Sequence, residues 1–410
     1  MESLKQTDPE IHEAVLNETN RINEGLELIP SENFVSRAVM QALGSIFNNK
    51  YSEGYPGKRY YGGNKYTDVV ENLAIERAKK LFGAEHANVQ PYSGSPANTA
   101  VYFALLNFGD TLMGMNLAQG GHLTHGHPVN FSGRAYRPVQ YGVDPQTHLI
   151  DYDAVRSLAE KEKPKIIISG ATAYPRKFDF EEFHKIAQDV GAISMADIAH
   201  LAGLVIGDAH PSPFPFTDVV TTTTHKTLRG PRGAMIMCKK QFAEAIDKAV
   251  FPGLQGGPHE HRIAATAVCL KEAMEPGFRD YAKQIVKNAK VMAEELMGLG
   301  FKLITDGTDN HLMLVDLRNK NITGREAEAA LDKAGITVNK NMIPYDPRKP
   351  FDPSGIRLGT PAITTRGMKE QECREIAGLI SKAVDNCKDD AALEGIKGDV
   401  KELCKGFPVY

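Results

Sequence analysis

One lysine lies in a setting that suits covalent chemistry. Lys226 follows the β-branched run at residues 219–224, while Gly230 and Pro231 prevent the segment from continuing as a long helix. The pattern therefore predicts a lysine in a loop just past a strand, beside a wall of threonines. An amine that is fixed, partly desolvated and deprotonated can attack a carbonyl group. Taken alone, the segment is more typical of a lysine in a solvated loop.

A carboxylate at the end of the preceding predicted strand favours the covalent interpretation. Asp197 follows the apolar run at residues 192–196, and His200 comes shortly after it. A carboxylate beside a pyridine nitrogen keeps that nitrogen protonated and makes the ring an electron sink. The alternative is an aspartate that only caps a loop. Together, Asp197 and Lys226 predict a site for pyridoxal phosphate, held by the lysine as a Schiff base.

Two short segments could hold the phosphate group of that cofactor. Residues 92–98 (Tyr-Ser-Gly-Ser-Pro-Ala-Asn) precede a predicted helix and offer hydroxyls and free backbone N–H groups. Residues 255–258 (Gln-Gly-Gly-Pro) form a second candidate anion nest before another helix. The sequence contains neither the phosphate loop of nucleoside triphosphatases nor the glycine fingerprint of dinucleotide-binding folds. Those two ligand classes therefore lack their main support.

Three histidines lie close together in the segment that begins Gly120-Gly-His122-Leu-Thr-His125-Gly-His127. They could bind zinc, but no cysteine or carboxylate lies at ligand spacing nearby in the sequence. The alternative is that one imidazole stacks on a flat ring while its neighbours form hydrogen bonds. We favour stacking and expect no metal.

The elements that position these residues alternate along the middle of the chain. Strands are predicted at about residues 87–90, 165–169, 192–196, 218–222 and 234–237, separated by helices at about 95–107, 152–162 and 180–190. This alternation predicts an α/β domain with a mainly parallel sheet. A ligand is then expected at the carboxyl ends of the strands.

The flanking regions are predicted to be mainly helical. A helix should begin at Thr7-Asp8-Pro9-Glu10, and others should span about residues 35–47, 68–82, 258–274 and 279–299. The glycines and proline of residues 51–63 predict an irregular segment, and its tyrosines suggest a functional one. We expect an amino-terminal segment plus large domain over residues 1–279 and a small α+β domain over residues 280–410.

Composition narrows the possible partners and the compartment. The chain is 42% hydrophobic and 24% charged with a net charge of −3, which gives no overall attraction to nucleic acid or to an anionic membrane. The amino terminus has no apolar signal core, and no window reaches the length needed to cross a bilayer. The odd number of cysteines, five, indicates free thiols in a reducing compartment. We expect a cytoplasmic protein with small-molecule substrates.

With these motifs in order, the chain resembles the serine hydroxymethyltransferase family over nearly its whole length. The matching stretches begin at Ser31, Asn49, Gly120, Tyr174, Asp197, Thr221, Gln255, Thr308 and Ser354. The resemblance implies the fold of the aspartate-aminotransferase-like pyridoxal phosphate enzymes and a homodimer, possibly a tetramer, whose active sites are shared between subunits. It implies reversible transfer of the hydroxymethyl group of L-serine to tetrahydrofolate, giving glycine and 5,10-methylenetetrahydrofolate. The alternative is a folate-independent aldolase for β-hydroxy amino acids or a methylserine-specific hydroxymethyltransferase.

The resemblance also implies a role for each matching residue. Lys226 would hold the cofactor, Asp197 would meet its pyridine nitrogen and His122 would stack on its ring. The remaining cofactor contacts would be Ser93, Gly94, Ser95, Thr172 and His200, with Tyr51 and Gly257 from the partner subunit. Glu53, also from the partner, would act as acid or base, with His225 as a further catalytic candidate.

Substrate contacts follow in the same way. Arg357, with Ser31 and Tyr61 nearby, would bind the substrate carboxylate. The folate contacts would be Leu117, Gly121, His122, Leu123, Asn341 and Phe351. The chain departs from the common family pattern at Pro30, Pro96, Gln119 and Thr172, and we expect these changes to alter fine cofactor and folate contacts while leaving the chemistry intact.

Overall fold

The computed structural model describes residues 3–410 of the chain. The α-helices are α1 (Leu4–Thr7), α2 (Pro9–Glu24), α3 (Arg37–Leu43), α4 (Lys65–Phe82), α5 (Gly94–Leu105), α6 (Phe131–Ala135), α7 (Tyr152–Glu162), α8 (Phe180–Asp189), α9 (Ala202–Ile206), α10 (Ala243–Lys248), α11 (Glu260–Ala273), α12 (Pro276–Gly298), α13 (Gly324–Lys333), α14 (Pro361–Thr365), α15 (Glu370–Asp385) and α16 (Asp390–Lys405). Within residues 3–410, no helix is both long enough and apolar enough to cross a membrane.

The strands form one large sheet and three smaller ones. They are β1 (Leu26–Glu27), β2 (Gly54–Tyr55), β3 (Lys58–Arg59), β4 (His86–Asn88), β5 (Thr111–Met115), β6 (Arg137–Tyr141), β7 (Ile166–Ser169), β8 (Ile193–Asp197), β9 (Val219–Thr223), β10 (Ala234–Cys238), β11 (Lys302–Leu303), β12 (Leu312–Asp316), β13 (Ile336–Thr337), β14 (Asn339–Asn341) and β15 (Gly355–Gly359). Short 3-10 helices include Ile46–Asn49 and Leu117–Gln119.

The large sheet has seven strands in the order β4-β10-β9-β8-β7-β5-β6. The run from β9 to β6 is parallel, while β10 pairs antiparallel with both β9 and β4. Strands β7, β9 and β10 are buried along their whole length, as expected for a sheet covered by helices on both faces. This architecture confirms the predicted α/β class with a mainly parallel sheet.

The second sheet lies in the carboxyl-terminal part of the chain and is antiparallel, in the order β11-β12-β15-β14. Its apolar side packs with α12, α13, α15 and α16 around a core of its own. Leu26 and Leu28 from the amino-terminal segment are buried in that core, and β1 pairs parallel with β13. The start of the chain is therefore tied to its end.

Most predicted elements agree with the structure to within a few residues, and the exceptions have local causes. The helix predicted over residues 35–47 ends early, because α3 stops at Leu43 before Gly44 and a 3-10 turn follows at Ile46–Asn49. The segment predicted to be irregular contains a small hairpin, in which β2 and β3 turn at Gly57 with φ of 73°. The prediction of no regular structure there was wrong at these strands.

Candidate active site

The site lies at the carboxyl edge of the large sheet, as expected for a parallel α/β sheet. Strands β8 and β9 are parallel neighbours in which Asp197 pairs with Thr221. Lys226 lies just beyond the end of β9, so its loop and the last residue of β8 reach the same edge. Both side chains line one cavity of about 290 Å³. The sequence prediction of an amine and a carboxylate at neighbouring strand ends therefore agrees with the geometry.

The amine of Lys226 is held in a desolvated position. Its Nζ donates a hydrogen bond to Oγ1 of Thr223, 3.0 Å away. Burial lowers its pKa to about 8, and the cations of Arg357 and Arg232 act in the same direction, while Asp197 opposes them. A much larger fraction of this amine is therefore neutral near pH 8 than of an ordinary lysine.

Three donors converge on the carboxylate of Asp197. Its Oδ2 accepts from Nδ2 of Asn98 at 2.8 Å and from Nε2 of His125 at 3.1 Å, and its Oδ1 accepts from the backbone N–H of Ala199 at 3.1 Å. Burial would raise the pKa of this carboxyl, but the hydrogen bond and charge of His125 hold it below its usual value. The group therefore stays ionised inside the protein.

His122, His125 and Asp197 have ligand atoms within 4.8 Å of one another, a spacing that could suit a metal ion. The sequence argument that no carboxylate lies near the histidines was therefore wrong, because Asp197, at the end of β8, is distant from them in sequence but adjacent to them in the folded chain. These atoms are already engaged with protein groups. Nδ1 of His122 accepts from the backbone N–H of Thr124 at 3.2 Å, and the His125 ring donates to Asp197. Burial lowers the pKa of His122 to about 4, so its ring is neutral and suited to stacking.

The opening turn of α5 forms an anion cradle in the same cavity. Ser93, Gly94 and Ser95 line the cavity, and the side chain of Ser93 makes no capping hydrogen bond to the helix in the described chain. The first N–H groups of the helix therefore remain open to a ligand phosphate. A Cβ at Gly94 would lie 2.9 Å from Cγ2 of Thr223, so only glycine allows this close approach to β9.

The residues of the cavity fit pyridoxal phosphate. The phosphate cradle, the carboxylate for a pyridine nitrogen, a neutral imidazole and the lysine amine all face one space. Nδ1 of His225, next to that lysine, is buried without a hydrogen-bond partner among residues 3–410, and burial lowers the pKa of this ring to about 3. An unpaired buried polar atom at this place is consistent with a site completed by a ligand.

The opposite wall of the cavity carries Arg357 from β15. Its Nε donates to Oδ1 of Asn339 at 3.1 Å and its Nη1 donates to the carbonyl of Thr172 at 2.6 Å, which leaves further N–H groups for an anion. Burial lowers the pKa of this guanidinium to about 10, so it remains charged at neutral pH. Ser31 lines the same cavity.

His200 also lines the cavity, and its ring is paired with a second buried imidazole. Its Nδ1 shares a hydrogen bond of 3.1 Å with Nε2 of His311 on the loop before β12. Burial, followed by the charge of Lys226, lowers the pKa of His200 well below its usual value, and burial lowers that of His311 to about 3. Both rings are therefore neutral.

Four predicted site residues lie outside this cavity and form a second cluster. The rings of Tyr51 and Tyr61 are in edge-to-face contact with centroids 5.0 Å apart. A Cβ at Gly257 would lie 3.6 Å from Tyr51, and Glu53 lines a separate cleft with Tyr60. The tyrosine rings are half exposed or more. The predicted site residues of one chain therefore form two separate groups, the Lys226 cavity and this second cluster.

Of the six predicted folate contacts, His122 lines the Lys226 cavity, and the other five lie outside it on two segments. Leu117, Gly121 and Leu123 belong to the turn that carries His122, where a Cβ at Gly121 would clash with the carbonyl of Met115 at 2.0 Å. Asn341 ends β14, and Phe351 lies on the following loop with 66% of its surface exposed.

Several residues of the cavity were missed by the sequence reasoning. Asn98, Ala171, Ala199, Thr223 and Arg232 line it, and His125 was considered only as a ligand or hydrogen-bonding neighbour of His122. Asn98 lies on α5, one helical turn after Gly94 at the start of that helix. The helical period could therefore have indicated that its side chain lies on the same face as the phosphate cradle. No sequence signal links His125 to Asp197, because their contact spans separate elements.

Comparison with known proteins gives a consistent result. The sequence model of a protein family described as "Serine hydroxymethyltransferase" matches residues 4–380. The chain is 60% identical over 409 residues to a protein of Koribacter versatilis named serine hydroxymethyltransferase, covering 100% of this chain and 96% of that protein. It is 58% identical over 408 residues to a protein of the same name from Acidobacterium capsulatum, with the same coverage of each.

Proposed function

Because this chain belongs to the serine hydroxymethyltransferase family, it is an enzyme of serine and glycine interconversion, and we propose that the Lys226 cavity is its catalytic centre. The reaction is reversible transfer of the hydroxymethyl group of L-serine to tetrahydrofolate, giving glycine and 5,10-methylenetetrahydrofolate. The alternative of a folate-independent aldolase or a methylserine-specific enzyme is not favoured by these relatives. The observation that carries the proposal is that an amine, a carboxylate, an anion cradle and a free arginine fork face one cavity.

In this proposal the cofactor is pyridoxal phosphate, covalently attached to Lys226. Asp197 meets its pyridine nitrogen, and the amino terminus of α5 with Ser93, Gly94 and Ser95 holds its phosphate. When bound, the cofactor supplies an electron sink for the charge released when a bond at the substrate α-carbon breaks. The buried, ionised Asp197 maintains the positive charge on the ring nitrogen that this chemistry requires.

The neutral imidazoles around the cavity have a positioning role. His122 provides a flat, uncharged face for the cofactor ring, since burial keeps its pKa near 4. His200 and Thr172 would contact the ring oxygen of the cofactor, and the bond of His200 to His311 fixes the orientation of the His200 ring. His225 keeps an open Nδ1 beside Lys226 and is a second proposed catalytic group.

Arg357 and Ser31 are proposed to bind the substrate carboxylate. A planar guanidinium already held by Asn339 and Thr172 presents its remaining N–H groups in a fixed direction, which suits a bidentate carboxylate contact. Holding the carboxylate would fix the rotation about the α-carbon and so decide which of its bonds lies perpendicular to the ring of a bound cofactor, which would supply the electron sink for that bond. The arginine thereby selects which bond breaks.

We propose that the second cluster completes the catalytic centre of a partner subunit in a homodimer. Glu53 would then act as acid or base at the serine hydroxyl, Tyr51 and Gly257 would extend the phosphate cradle, and Tyr61 would contact the substrate. Support comes from the separation of this cluster from the Lys226 cavity within one chain and from the exposure of its tyrosines.

Tetrahydrofolate is proposed to bind between the turn that contains Leu117, Gly121, His122 and Leu123 and the segment from Asn341 to Phe351. The exposed Leu123 and Phe351 offer apolar contacts for a ring system, and Asn341 offers polar ones. The place lies beside the His122 face of the cavity, where the one-carbon unit would be released.

Two further expectations remain proposals. The boundary between residues 279 and 280 falls within the long helix α12, whose first half packs in the large core and whose second half packs in the small one. The two cores support a division in this helix, with Leu26 and Leu28 as an amino-terminal contribution to the small domain. A cytoplasmic location is supported by five cysteines that are all free thiols.

The proposal is tested by measuring serine-to-glycine conversion with and without tetrahydrofolate. We expect conversion to depend on tetrahydrofolate and to be lost in Lys226→Ala. The matched control is Lys239→Ala, which removes a partly exposed lysine that pairs with Asp218 outside the cavity. Equal rates with and without tetrahydrofolate would overturn the assigned reaction.

A further inference from the structure

A two-bond bridge joins the segments that carry the proposed folate contacts. The hydroxyl of Tyr345 donates to the carbonyl of Val143 at 2.6 Å, and the backbone N–H of Val143 donates to Oε1 of Gln119 at 2.8 Å. Gln119 belongs to the turn of Leu117–Gln119, and Tyr345 lies on the loop that follows β14. We infer that Gln119 and Tyr345 are positioning residues that hold the two sides of the tetrahydrofolate site at a fixed separation. This inference rests on the proposed function.

The side chain of Gln119 has little freedom to move. The turn that carries it is capped by Asn116, whose Oδ1 accepts from the N–H of Ala118 at 2.8 Å, and it ends at Gly120 with φ of 113°. A Cβ at Gly142 would lie only 2.1 Å from Oε1 of Gln119, so this amide is pressed against the backbone before Val143. The amide oxygen therefore has a defined place beside the Val143 N–H.

The same turn is connected to the catalytic cavity. The carbonyl of Gly120 accepts from the backbone N–H groups of Thr172 at 2.7 Å and Ala173 at 3.1 Å. The carbonyl of Thr172 in turn accepts from Arg357. Displacement of the Gln119 turn would therefore move the proposed folate contacts on that turn directly. It would move Arg357 only indirectly, through the hydrogen bonds of Gly120 and Thr172.

Tyr345 supplies the second anchor, and its backbone shows that it is held. Its φ is +58°, a left-handed conformation that is unfavourable for a residue with a large side chain. Half of the side chain is exposed, so burial of the ring does not account for this conformation. The neighbouring Asp346 accepts from the backbone and hydroxyl of Ser354 at 2.9 and 2.7 Å, which closes the loop on its other side. The bond from Tyr345 to Val143 connects this closed loop to the segment that follows β6.

Both anchors line one cleft of about 340 Å³, together with the end of β6 and the residues after it. The bond from Tyr345 and the bond to Gln119 meet at Val143, which is 4% exposed. Val143 carries both bonds, one on its N–H and one on its carbonyl, so the bridge is complete only when both anchors are present. The arrangement therefore acts as a single spacer between Leu117 and Asn341.

The test compares Tyr345→Phe and Gln119→Met with the unmodified holoenzyme. Each change keeps the approximate shape and removes one hydrogen bond. We expect KM for tetrahydrofolate to rise about threefold to tenfold, because the loss of one bond has a modest net effect. The dissociation constant of glycine, read from the absorbance of bound pyridoxal phosphate, should change by less than about twofold. The double variant should be no worse than the stronger single one, since both act through Val143.

Two control variants separate this role from general stability. Gln119→Glu keeps the acceptor oxygen and should retain a low KM, because the Nε2 of Gln119 donates no hydrogen bond within residues 3–410. Tyr152→Phe removes a comparable hydroxyl, which accepts from the N–H of Asp179 at 2.9 Å inside the large domain, and should leave KM for tetrahydrofolate unchanged.

The outcomes distinguish this inference from the function on which it rests. If the unmodified enzyme shows no dependence on tetrahydrofolate, the proposed function fails. If it does depend on tetrahydrofolate but KM is unchanged in Tyr345→Phe and Gln119→Met, the inference alone fails. Equal losses of glycine affinity and tetrahydrofolate affinity would also overturn it, because they would indicate general disruption of the cavity.

Discussion

The replacement Arg357→Lys tests the geometry of the cavity most directly, because it keeps the charge and changes only the arrangement of donors. The guanidinium has five N–H groups, of which one is used by Asn339 and one by Thr172. Three remain for the substrate carboxylate, enough for a bidentate contact. A lysine ammonium has three N–H groups in all, so after Asn339 and Thr172 are satisfied only one remains.

The expected loss follows from this count. One charge-assisted hydrogen bond to the carboxylate disappears, which corresponds to about 1.5–3 kcal/mol. Each 1.4 kcal/mol is a factor of ten, so the dissociation constant of glycine should increase about 10-fold to 150-fold. Methylamine, which is glycine without its carboxylate, should bind the unmodified enzyme and Arg357→Lys with similar weak affinity.

The assay is titration of the holoenzyme with each ligand, followed by the absorbance of bound pyridoxal phosphate. Arg318→Lys is the matched control, since Arg318 is half exposed, pairs with Asp316 and does not line the cavity. Glycine affinity within twofold of the unmodified enzyme would refute the carboxylate assignment. An equal loss for methylamine would refute it as well, because the effect would then lie in the cofactor site.

Three further outcomes are expected. Lys226→Ala should lose the visible absorbance of attached cofactor after dialysis, and a spectrum that persists would contradict its covalent role. Mixing Glu53→Gln with Lys226→Ala chains under subunit exchange should restore part of the activity, whereas no recovery in proven mixed dimers would count against a shared site. Covalent attachment of pyridoxal phosphate to the apoprotein requires the neutral amine, so its rate should rise about tenfold per pH unit below pH 8 and level off above it. A rate that climbs until pH 10.5, the ordinary value, would show that burial does not lower the pKa of this amine.

The central part of the fold could be predicted from the sequence because its elements have strong local patterns. The apolar runs that became β8 and β9 end in polar residues, so the approximate positions of Asp197 and Lys226 follow from the pattern alone. Strands β5 and β6 were missed for the opposite reason. β5 contains methionines and Gly114, and β6 contains Pro138, so neither resembles a β-branched run.

Glycine at position 114 has a structural reason that the sequence does not reveal. A Cβ there would lie 2.9 Å from both the Cβ and the carbonyl oxygen of His125. The close approach of β5 to the histidine segment brings His125 to Asp197, and this long-range packing has no local signal. The same applies to the pair of His200 and His311, which come from the two parts of the chain.

The charge balance of the cavity explains why so many histidines surround it without adding charge. Among the described residues that line it, Lys226, Arg232 and Arg357 are cationic and Asp197 is the only carboxylate, an excess of two positive charges. Burial lowers the pKa of His122, His200 and His225 below neutrality, so these rings supply hydrogen bonds and flat surfaces without increasing the repulsion.

An excess of this sign in a buried space is unfavourable unless anions balance it. The start of α5 and Arg357 offer places for two anions, a phosphate and a carboxylate, in the cavity that Lys226 lines. The cofactor and the amino acid would therefore stabilise each other's binding, because each would neutralise part of the excess positive charge of the cavity. The role proposed for Glu53 fits the same reasoning, because an acid or base supplied from outside the cavity would leave its excess positive charge in place until the anions bind.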